Sequence, residues 1–452
     1  MIETRYLDLD FRSEYSAYYS RQFADIPDST HRLHFFFENL SAGSLWQDAA
    51  QAGYLGYVVV RPASTGLVSR ALLPPPPDLA EAVRTCVTEK VSFFGQQLTI
   101  TGVPFAQQDA QLGACAQAAA WMCHYSAHVR GDTARRTKAD FSLMADASLQ
   151  PNRGLPSGGL TVVQLSDLFR RFELPAMFYS VGDLPSPHLP WQPDDPIPPT
   201  LDGPSASPPG SWDHRIIPVA CRHLNSGNPV LVGTHDHAFV LCGYRRTDAP
   251  QRGWIEFIRH DDQAGPYLLV TNVLNDIDPR SGKVYGAWRT MHVPVPEKLW
   301  LAPEAAERKG GLYLVKASRQ IAAVAPSLPF EPIDDLIAAG RLSLRTYAIR
   351  SNDFKRNLAG RGLHASIVQE YALARLPRYI WVVEAIDRDL REAGRPAVVG
   401  EAVLDATSSD HAPEEIALHV HGVMWLQQTS RRIRFPILGD PRAYESGGVG
   451  VA

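Results

Sequence analysis

The chain has 452 residues, of which 45% are hydrophobic and 20% are charged, and its formal net charge at pH 7 is -4. This balance excludes a strongly basic surface for nucleic acid or for a membrane, so we expect neither partner. The length favours two or three domains, each with a core of its own.

The start of the chain, MIETRYLDLDFRSEYS, carries alternating charges and lacks the apolar core of a signal peptide. No later stretch stays apolar over the length that a membrane span needs. We therefore expect a cytoplasmic protein, unless a secretion route that needs no signal peptide exports it. The oligomeric state stays open.

Residues 1–98 are predicted to form a mixed α/β region. Strand-like runs occupy Leu33–Phe37 and Tyr54–Arg61, and a short helix is predicted over Leu79–Val87, after a run of prolines. A further strand, Gln97–Val103, leads out of this region. We find no motif in it that carries chemistry.

The stretch Pro104–Asp132, PFAQQDAQLGACAQAAAWMCHYSAHVRGD, is predicted to deliver a cysteine to the first turn of a helix. Ala116–Val129 contains neither Gly nor Pro, and Gly131 stands where a helix commonly ends. Cys115 would lie at the helix start, where unpaired backbone N–H groups and the positive end of the helix dipole favour a thiolate over a thiol. Gln108 lies in the preceding loop, from which its side-chain amide can reach the space beside the sulfur and bind an oxyanion.

The five cysteines are odd in number and widely scattered along the chain. They lack the close pairs that are typical of a disulfide framework or a zinc ribbon. We therefore expect free thiols in a reducing compartment, and neither a metal nor a cofactor.

The segment 183–210 is so rich in proline that it excludes a helix and a central strand. We expect it to be an insertion within the domain, forming either a surface loop or a flap over a substrate cleft. A short helix is predicted over Ile216–Asn225, directly before the next strands.

Two strand-like segments then follow and are close enough in sequence to pair as an antiparallel hairpin. His237 stands at the beginning of the first strand and Asp261 at the end of the second, so this pairing brings both to the same edge of the sheet. A carboxylate beside an imidazole fixes its tautomer and supports its protonated form. His235 remains an alternative base, and Asp262 remains an alternative orienter because a slip of one residue in register would exchange the two faces.

The chain order of a cysteine, a histidine at a strand start and an aspartate at a strand end is the order of papain-like cysteine peptidases. The segments QQDAQLGACAQAAAW and GTHDHAFVLCGY resemble the Cys and His boxes of the bacterial C39-like branch of that superfamily, and HDDQAGPY resembles its Asp segment. The resemblance extends over about residues 101–267. It implies a papain-like domain over residues 99–300, with the nucleophile helix packed on an antiparallel sheet.

The resemblance also assigns four catalytic roles, which are nucleophile Cys115, general base His237, orienter Asp261 and oxyanion donor Gln108. Two positions depart from the usual pattern of the branch. Ala116 follows the nucleophile, where the branch usually has Gly, and Gln108 is one residue further from the cysteine than is usual. Gln107 and Gln111 therefore remain alternative oxyanion donors.

Residues 301–452 are predicted to form a C-terminal α+β domain. Its first strand is predicted over Gly311–Ala317, and helical stretches and three further strands follow. Glu384, Glu401 and Asp405 lie in or near those strands, where they are interpreted as solvated or ion-paired surface residues, with a second site as the alternative. The tail ESGGVGVA is predicted to be disordered.

The sequence thus predicts an α+β fold with a papain-like cysteine-peptidase core between N- and C-terminal α/β extensions. The predicted function is a thiol-dependent hydrolase, a cysteine peptidase that cleaves an amide bond in a peptide or protein through a Cys-His-Asp triad. Two alternatives stay open. The same triad serves an acyltransferase or transamidase when an amine replaces water, and the same fold can act as a non-catalytic binding or scaffold module.

Overall fold

A computed structural model describes residues 1–37, 51, 53–62, 67–109, 111–145, 158–183, 216–246, 255–270, 276–277, 282, 284–327, 329–409, 414–428, 431–434 and 443–447. The chain divides into two compact units. Unit 1 comprises Met1–Asp183, Gly227–Thr247 and Glu256–Pro296, and unit 2 comprises Leu184–Ser226, Asp248–Ile255 and Glu297–Ala452. Both are α+β, which confirms the predicted fold class at this level. No helix in the described ranges has both the length and the apolar character for crossing a lipid bilayer.

The strands of unit 1 are β1 (Ile2–Tyr6), β2 (Thr30–Phe36), β3 (Tyr54–Val60), β4 (Val68–Leu73), β5 (Val87–Phe93), β6 (Gln96–Phe105), β7 (Ala176–Ser180), β8 (Val230–Gly233), β9 (Ala238–Arg246), β10 (Ile255–Asp261), β11 (Gly265–Val270), β12 (Asp276–Ile277), β13 (Val284–Gly286) and β14 (Thr290–Pro294). Its α-helices are α1 (Leu9–Ala17), α2 (Cys115–Val129), α3 (Lys138–Leu143) and α4 (Val162–Arg171).

Two six-stranded sheets organise unit 1. The first has the strand order β1-β2-β3-β4-β6-β5, and all its neighbouring strands are antiparallel. The second has the order β11-β10-β9-β8-β14-β7 and so places β9 beside β10. Because β9 begins directly after His237 and β10 ends at Asp261, this sheet fixes the relative position of the two residues.

The boundary predicted at residue 98 falls inside β6. This strand pairs with β5 along its first part and with β4 at its end, where Phe105 lies opposite Ala71. A sheet cannot be divided in the middle of a strand that pairs on both sides. Residues 1–98 therefore belong to the same compact unit as the cysteine helix.

The helix α2 begins and ends where the sequence predicts. At its C-terminus, the N–H of Gly131 donates to the carbonyl of His128 at 2.8 Å, and the N–H of Asp132 donates to the carbonyl of Ala127 at 2.9 Å. This pair of bonds is a Schellman motif, which needs a left-handed residue after the helix, and Gly131 has a φ of 76°. The glycine signal in the sequence thus has a direct geometric cause.

The central part of α2 is buried on all sides, since every residue from 116 to 127 is buried. Apolar residues from α3, α4, β6, β8 and β9 surround it and form one core, which includes Phe105, Trp121, Phe141, Phe169 and Val240. The helix is therefore held in place by packing from several elements, and its first turn is the part that approaches the surface.

The helix predicted over Leu79–Val87 is wrong. The N–H groups of Arg84 and Thr85 both donate to the carbonyl of Cys242 in β9, at 2.9 and 3.2 Å, and Val83 forms an isolated bridge with Gly243. Hydrogen bonds within the segment are confined to one turn, in which the N–H groups of Ala82 and Val83 donate to the carbonyl of Leu79, and the residues that follow bond to a strand that is distant in sequence. The segment is consequently a turn that leads into β5.

Unit 2 contains the helices α5 (Ile216–Asn225), α6 (Pro303–Val324), α7 (Ile333–Ala338), α8 (Ser351–Asn357), α9 (Ala365–Leu373) and α10 (Arg388–Glu392). Its strands are β15 (Leu342–Arg350), β16 (Tyr379–Asp387), β17 (Val398–Asp405), β18 (Glu415–Val420), β19 (Val423–Gln428) and β20 (Arg431–Arg434). They form one antiparallel sheet in sequence order, each strand pairing with the next.

The strand predicted over Gly311–Ala317 is also wrong, because this segment lies in the middle of α6. Its run of apolar residues looks strand-like in isolation, but buried positions recur at helical spacing through it, at Ala306, Gly310, Leu314 and Ile321. The segment is helical because this spacing places its buried residues on one face of α6, where they pack in the core of unit 2.

Replacing Gly310 by Leu is expected to destabilise unit 2 by about 2–3 kcal/mol, the upper part of the range for overpacking a core. A Cβ at Gly310 would lie 2.6 Å from Cγ2 of Val383 in β16, a branched side chain that is fully buried. Urea unfolding measures the change. Lys316→Leu is the matched control, because Lys316 is an exposed position on the same helix and should change the free energy of unfolding by less than about 0.5 kcal/mol. Equal losses in the two variants would contradict the close helix–sheet contact.

The Pro-rich segment 183–210 lies outside the described residues, except for Asp183, so its predicted role as a loop or flap stays a prediction. The disorder predicted for the tail is wrong for its first residues. Glu445, Ser446 and Gly447 are held by hydrogen bonds to Arg361 and Glu384 in unit 2. The remainder of the tail lies outside the described residues.

Candidate active site

Cys115 is the first residue of α2, and its side chain is half-buried. The preceding residue, Ala114, has an extended backbone and donates its N–H to Oε1 of Gln117 at 3.1 Å, which closes the first turn. The sulfur therefore lies at the end of the helix where unpaired N–H groups and the positive end of the helix dipole stabilise negative charge. This position is suited to a thiolate nucleophile.

The loop before Cys115 is organised by Asp109. Its Oδ1 accepts the backbone N–H groups of Gln111, Leu112 and Gly113 at 3.1, 3.1 and 2.9 Å, and its Oδ2 accepts the hydroxyl of Tyr19 at 2.5 Å. Burial alone would raise the pKa of Asp109, but nearby positive charge and these donors lower it overall, so the side chain is a carboxylate. It fixes the path of the chain into the helix. Asp109 was not among the predicted site residues, although an Asp ahead of a loop is the usual residue for such a turn.

His237 closes the turn between β8 and β9 and is buried. Its carbonyl accepts the N–H of Thr234 at 2.9 Å, which fixes the backbone. Its Nε2 lies 3.1 Å from Oδ1 of Asp261, at the end of β10. Its ring stacks on Tyr285, with ring centroids 4.3 Å apart and an interplanar angle of 19°. The imidazole is thus held at its edge by a carboxylate and on its face by an aromatic ring.

Asp261 is fixed by more than the histidine. Its Oδ1 also accepts the backbone N–H groups of Gln263 and Ala264 at 3.0 and 3.3 Å, and Nε of Arg259 lies 3.7 Å from its Oδ2. Burial alone would raise the pKa of Asp261, but the hydrogen bond with His237 and the charges of His237 and Arg259 lower it overall. Asp261 is consequently an ionised acceptor for the imidazole.

Burial alone would lower the pKa of His237, because it disfavours the charged imidazolium. Hydrogen bonding with Asp261 and Cys115, and the negative charges of both, raise the pKa instead to about 9. Since Nε2 is bonded to Asp261, Nδ1 is the nitrogen left for the thiol. Nδ1 is buried and accepts or donates no hydrogen bond of normal geometry among the described residues, but the effect of Cys115 on the pKa of His237 requires the sulfur to lie close to the ring. The imidazole therefore lies between the sulfur and the carboxylate.

Arg259 and Tyr285 form a second layer that the sequence analysis missed. The Arg259 guanidinium carbon lies 4.9 Å from the ring centroid of Phe239 and 5.2 Å from that of Tyr285. Both aromatic rings therefore hold the cation that faces Asp261, and Tyr285 contacts His237 as well. Nothing in the local sequence around Tyr285 indicates this role, since the contact depends on β13 folding back over the hairpin.

Asp262, the alternative orienter, is buried beside the same site but does not bond to His237. Burial raises its pKa to about 7, and the charge of Asp261 adds to this effect against the opposing charge of His237. Neither of its carboxylate oxygens has a well-formed hydrogen bond among the described residues, although the backbone amide of Gln108 lies nearby. Asp262 is therefore a buried carboxyl group with a raised pKa, next to the ionised carboxylate of Asp261.

Three side chains of this site also lie close enough together to bind a metal ion. One ligand atom each from His237, Asp261 and Asp262 lies within 4.8 Å of the others, and no other such group occurs among the described residues. A nitrogen and two oxygen ligands suit a divalent cation. However, an ion at Nε2 would have to break the 3.1 Å bond between His237 and Asp261. The observed bond favours the hydrogen-bonded arrangement.

The candidate oxyanion donors differ in their placement. Gln107 and Gln108 are both half-buried and, with Gly113 and Gln117, line a cavity of about 20 Å³ at the start of α2, which is large enough for one water molecule. The side-chain amide of Gln107 is already engaged, because its Oε1 accepts the N–H of Val68 at 3.0 Å. The exposed Gln111 accepts the hydroxyl of Tyr18 at 2.9 Å. The side-chain amides of Gln107 and Gln111 are thus held by other hydrogen bonds, and Gln108 stays the candidate oxyanion donor.

His235, the alternative base, is exposed in the turn before β9. The structure thus groups Cys115, His237 and Asp261, with Asp262 beside them, and leaves His235 in solvent. In comparisons with known proteins, the chain matches no family model and no curated sequence.

Proposed function

We propose that unit 1 is a thiol-dependent hydrolase of papain-like fold, a cysteine peptidase that acts on an amide bond in a peptide or protein. The observation that carries this proposal is the buried imidazole of His237, hydrogen-bonded to Asp261 and adjacent to the thiol of Cys115. A helix that bears the nucleophile and packs against strands that bear the base and the orienter supports the papain-like assignment. Chain order supports it as well.

In this mechanism the Cys115 thiolate attacks the substrate carbonyl, and the carbonyl electrons move to the oxygen. Collapse of this intermediate breaks the C–N bond, and the His237 imidazolium gives its proton to the leaving amine. His237 then removes a proton from water, which attacks the thioester and releases the acid and the thiolate. Asp261 holds the imidazole in one tautomer throughout, and Gln108 is proposed to stabilise the oxyanion.

Alkylation of Cys115 by iodoacetamide tests the thiolate–imidazolium pair without any substrate. Because the pKa of His237 is raised to about 9, its positive charge is fully present below the ordinary histidine pKa of 6.5 and is lost as the pH rises through 9. At pH 7 we expect His237→Ala to slow the reaction by at least about tenfold, because the imidazolium charge that stabilises the thiolate is then missing. The rates of the two proteins should converge above pH 9.

Peptide mapping separates Cys115 from the other thiols, and the half-buried Cys86 provides an internal reference because burial raises its pKa to about 11. His235→Ala is the matched control, since it removes an exposed imidazole two residues away and should leave the rate unchanged. If His237→Ala and His235→Ala alkylate at the same rate as the parent protein, the proposed pair does not exist.

Acyl transfer is separated from hydrolysis by the product. With a mixed-sequence peptide library, hydrolysis creates new free carboxyl termini, whereas added glycine amide would be incorporated by a transamidase. A chain that alkylates rapidly at Cys115 yet yields neither product would instead favour the binding-module alternative.

A further inference from the structure

A short stretch of the C-terminus is bound in unit 2 as a peptide would be. The N–H and carbonyl of Tyr444 bond the carbonyl and N–H of Val398 at the start of β17, both at 2.9 Å. The N–H of Glu445 donates to the carbonyl of Arg361 at 3.0 Å, and Nε of Arg361 donates to the carbonyl of Glu445 at 3.2 Å. Reciprocal backbone bonds of this kind hold an extended segment at a strand, whatever its side chains.

Three of the four side-chain positions are also recognised. The ring of Tyr444 is buried, with its centroid 5.0 Å from that of His419 and 5.3 Å from the guanidinium carbon of Arg361. The hydroxyl of Ser446 donates to Oε2 of Glu384 at 2.5 Å and accepts from Arg345. The ring contacts favour an aromatic residue at position 444, and the hydroxyl bonds favour a serine at position 446.

Gly447 is recognised by its lack of a side chain. Its N–H donates to Oε1 of Glu384 at 2.9 Å, and a Cβ would lie 2.9 Å from Nε and the guanidinium carbon of Arg361. Arg361 cannot move aside without losing its bonds to Glu384 at 3.2 Å and Glu401 at 2.6 Å. The position therefore excludes other residues. The side chain of Glu445, by contrast, is exposed.

The side chains that surround this segment are charged or polar and are buried. Glu384, Glu401 and Arg361 are almost completely buried, and such charges are stable only with partners in place. Nη1 of Arg361 and both ring nitrogens of His419 are buried and have no hydrogen-bond partner among the described residues. The surface position predicted for Glu384 and Glu401 is therefore wrong, since both are fully buried and bonded to Arg361.

We propose that unit 2 carries a peptide-binding site for an extended Tyr-x-Ser-Gly segment, and that residues 444–447 are its built-in ligand. The same segment of a second copy of the chain is the partner with matching chemistry. Residues 444–447 follow β20, the last strand of the sheet, so the segment to be exchanged includes none of the strands β15–β20. This site is independent of the chemistry proposed for unit 1.

The test uses the full-length chain and a fluorescein-labelled peptide with the sequence of residues 443–450, AYESGGVG. Tyr444→Ala/Gly447→Leu weakens the tethered segment and opens the site. Fluorescence polarisation should show that this variant binds the peptide at least about tenfold more tightly than the parent chain, whose tethered segment competes at high effective concentration. Glu445→Ala is the matched control and should bind as weakly as the parent.

Unlabelled peptides then test recognition. A peptide with Ala in place of Glu445 should compete as well as the natural sequence, whereas one with Leu in place of Gly447 should compete at least about tenfold less well. Gly447→Ala in the full chain replaces the double variant if circular dichroism shows that the latter is unfolded. Equal binding by the folded variant, the parent chain and Glu445→Ala, or no binding by any of them, would overturn the proposal.

Discussion

Cys115→Ala is expected to abolish amide cleavage, lowering turnover by at least about 10³-fold, because a triad that lacks its nucleophile retains only what binding and oxyanion stabilisation supply. The fold should persist. Cys115 is the half-buried first residue of α2, so losing its sulfur should change the free energy of unfolding by less than about 1 kcal/mol. The measurement is the rate at which new termini appear in a mixed-sequence peptide library, followed by mass spectrometry.

Cys86→Ala is the control for this prediction. Cys86 is also a half-buried cysteine of unit 1, but it packs in the apolar cluster around Leu79 and Val103 and contacts none of the proposed catalytic residues. Its replacement should leave turnover unchanged. Cleavage that continues in folded Cys115→Ala at the parent rate would remove Cys115 from the reaction, and a similar loss in both variants would indicate a structural effect.

The parts of this site that the sequence could predict depend on local patterns. The Ala-rich run and Gly131 define a helix within a single stretch of chain, and Cys115 is placed at its start by the same pattern. The distance between β9 and β10 along the chain is short enough for the hairpin to be foreseen. In each case the residues that determine the structure are close together in sequence.

The choice between Asp261 and Asp262 required the structure. Side chains alternate along a strand, so His260 and Asp261 point to opposite faces, and His260 packs between Phe105 and Tyr267 while Asp261 meets His237. Asp262 follows the last residue of the strand, and alternation no longer determines its direction. That is why both aspartates lie near the imidazole and only one bonds to it.

The supporting residues could not be predicted, because their partners are distant in sequence. Tyr19 bonds to Asp109 across 90 residues, and Trp121 bonds to Asp10 across 111 residues. No motif in residues 1–98 indicates chemistry, yet Tyr19 and Asp10 from this region hold the loop and the helix that carry Cys115. A single sequence has no local signal for such pairs.

Arg70 is the centre of the largest of these long-range contacts. Its Nε donates to Oδ2 of Asp8 at 2.7 Å, and its Nη1 donates to the hydroxyls of Tyr57 and Tyr125 at 2.8 and 3.0 Å. Tyr125 lies on α2, so this buried guanidinium links the first sheet to the nucleophile helix. Asp8 is fully buried and has its pKa lowered, since the Arg70 charge and hydrogen bonds outweigh burial, which alone would raise it.

Arg70 also lies 3.9 Å from Asp10 and 3.7 Å from Glu89. Arg70→Met is therefore expected to lower the free energy of unfolding of unit 1 by about 3–5 kcal/mol, the loss typical of removing one partner of a buried ion pair and leaving carboxylates without their cation. Urea unfolding followed by circular dichroism measures it. Arg12→Met is the control, because Arg12 pairs with Asp28 at 2.6 Å on the surface, with side chains 44% and 54% exposed. Such a pair contributes less than about 1 kcal/mol.

The stability difference between the parent protein and Arg70→Met should also depend on pH, which provides a second test of the ion pair. Asp8 has a folded-state pKa below its ordinary value of 3.8, so its contribution is fully present above pH 3.8 and is lost as the pH falls through the lowered pKa. The difference between the parent protein and Arg70→Met should accordingly shrink in acid, because a protonated Asp8 no longer needs the guanidinium. A loss that stays constant with falling pH would instead assign the effect of Arg70 to packing against Tyr57 and Tyr125, with no contribution from its charge.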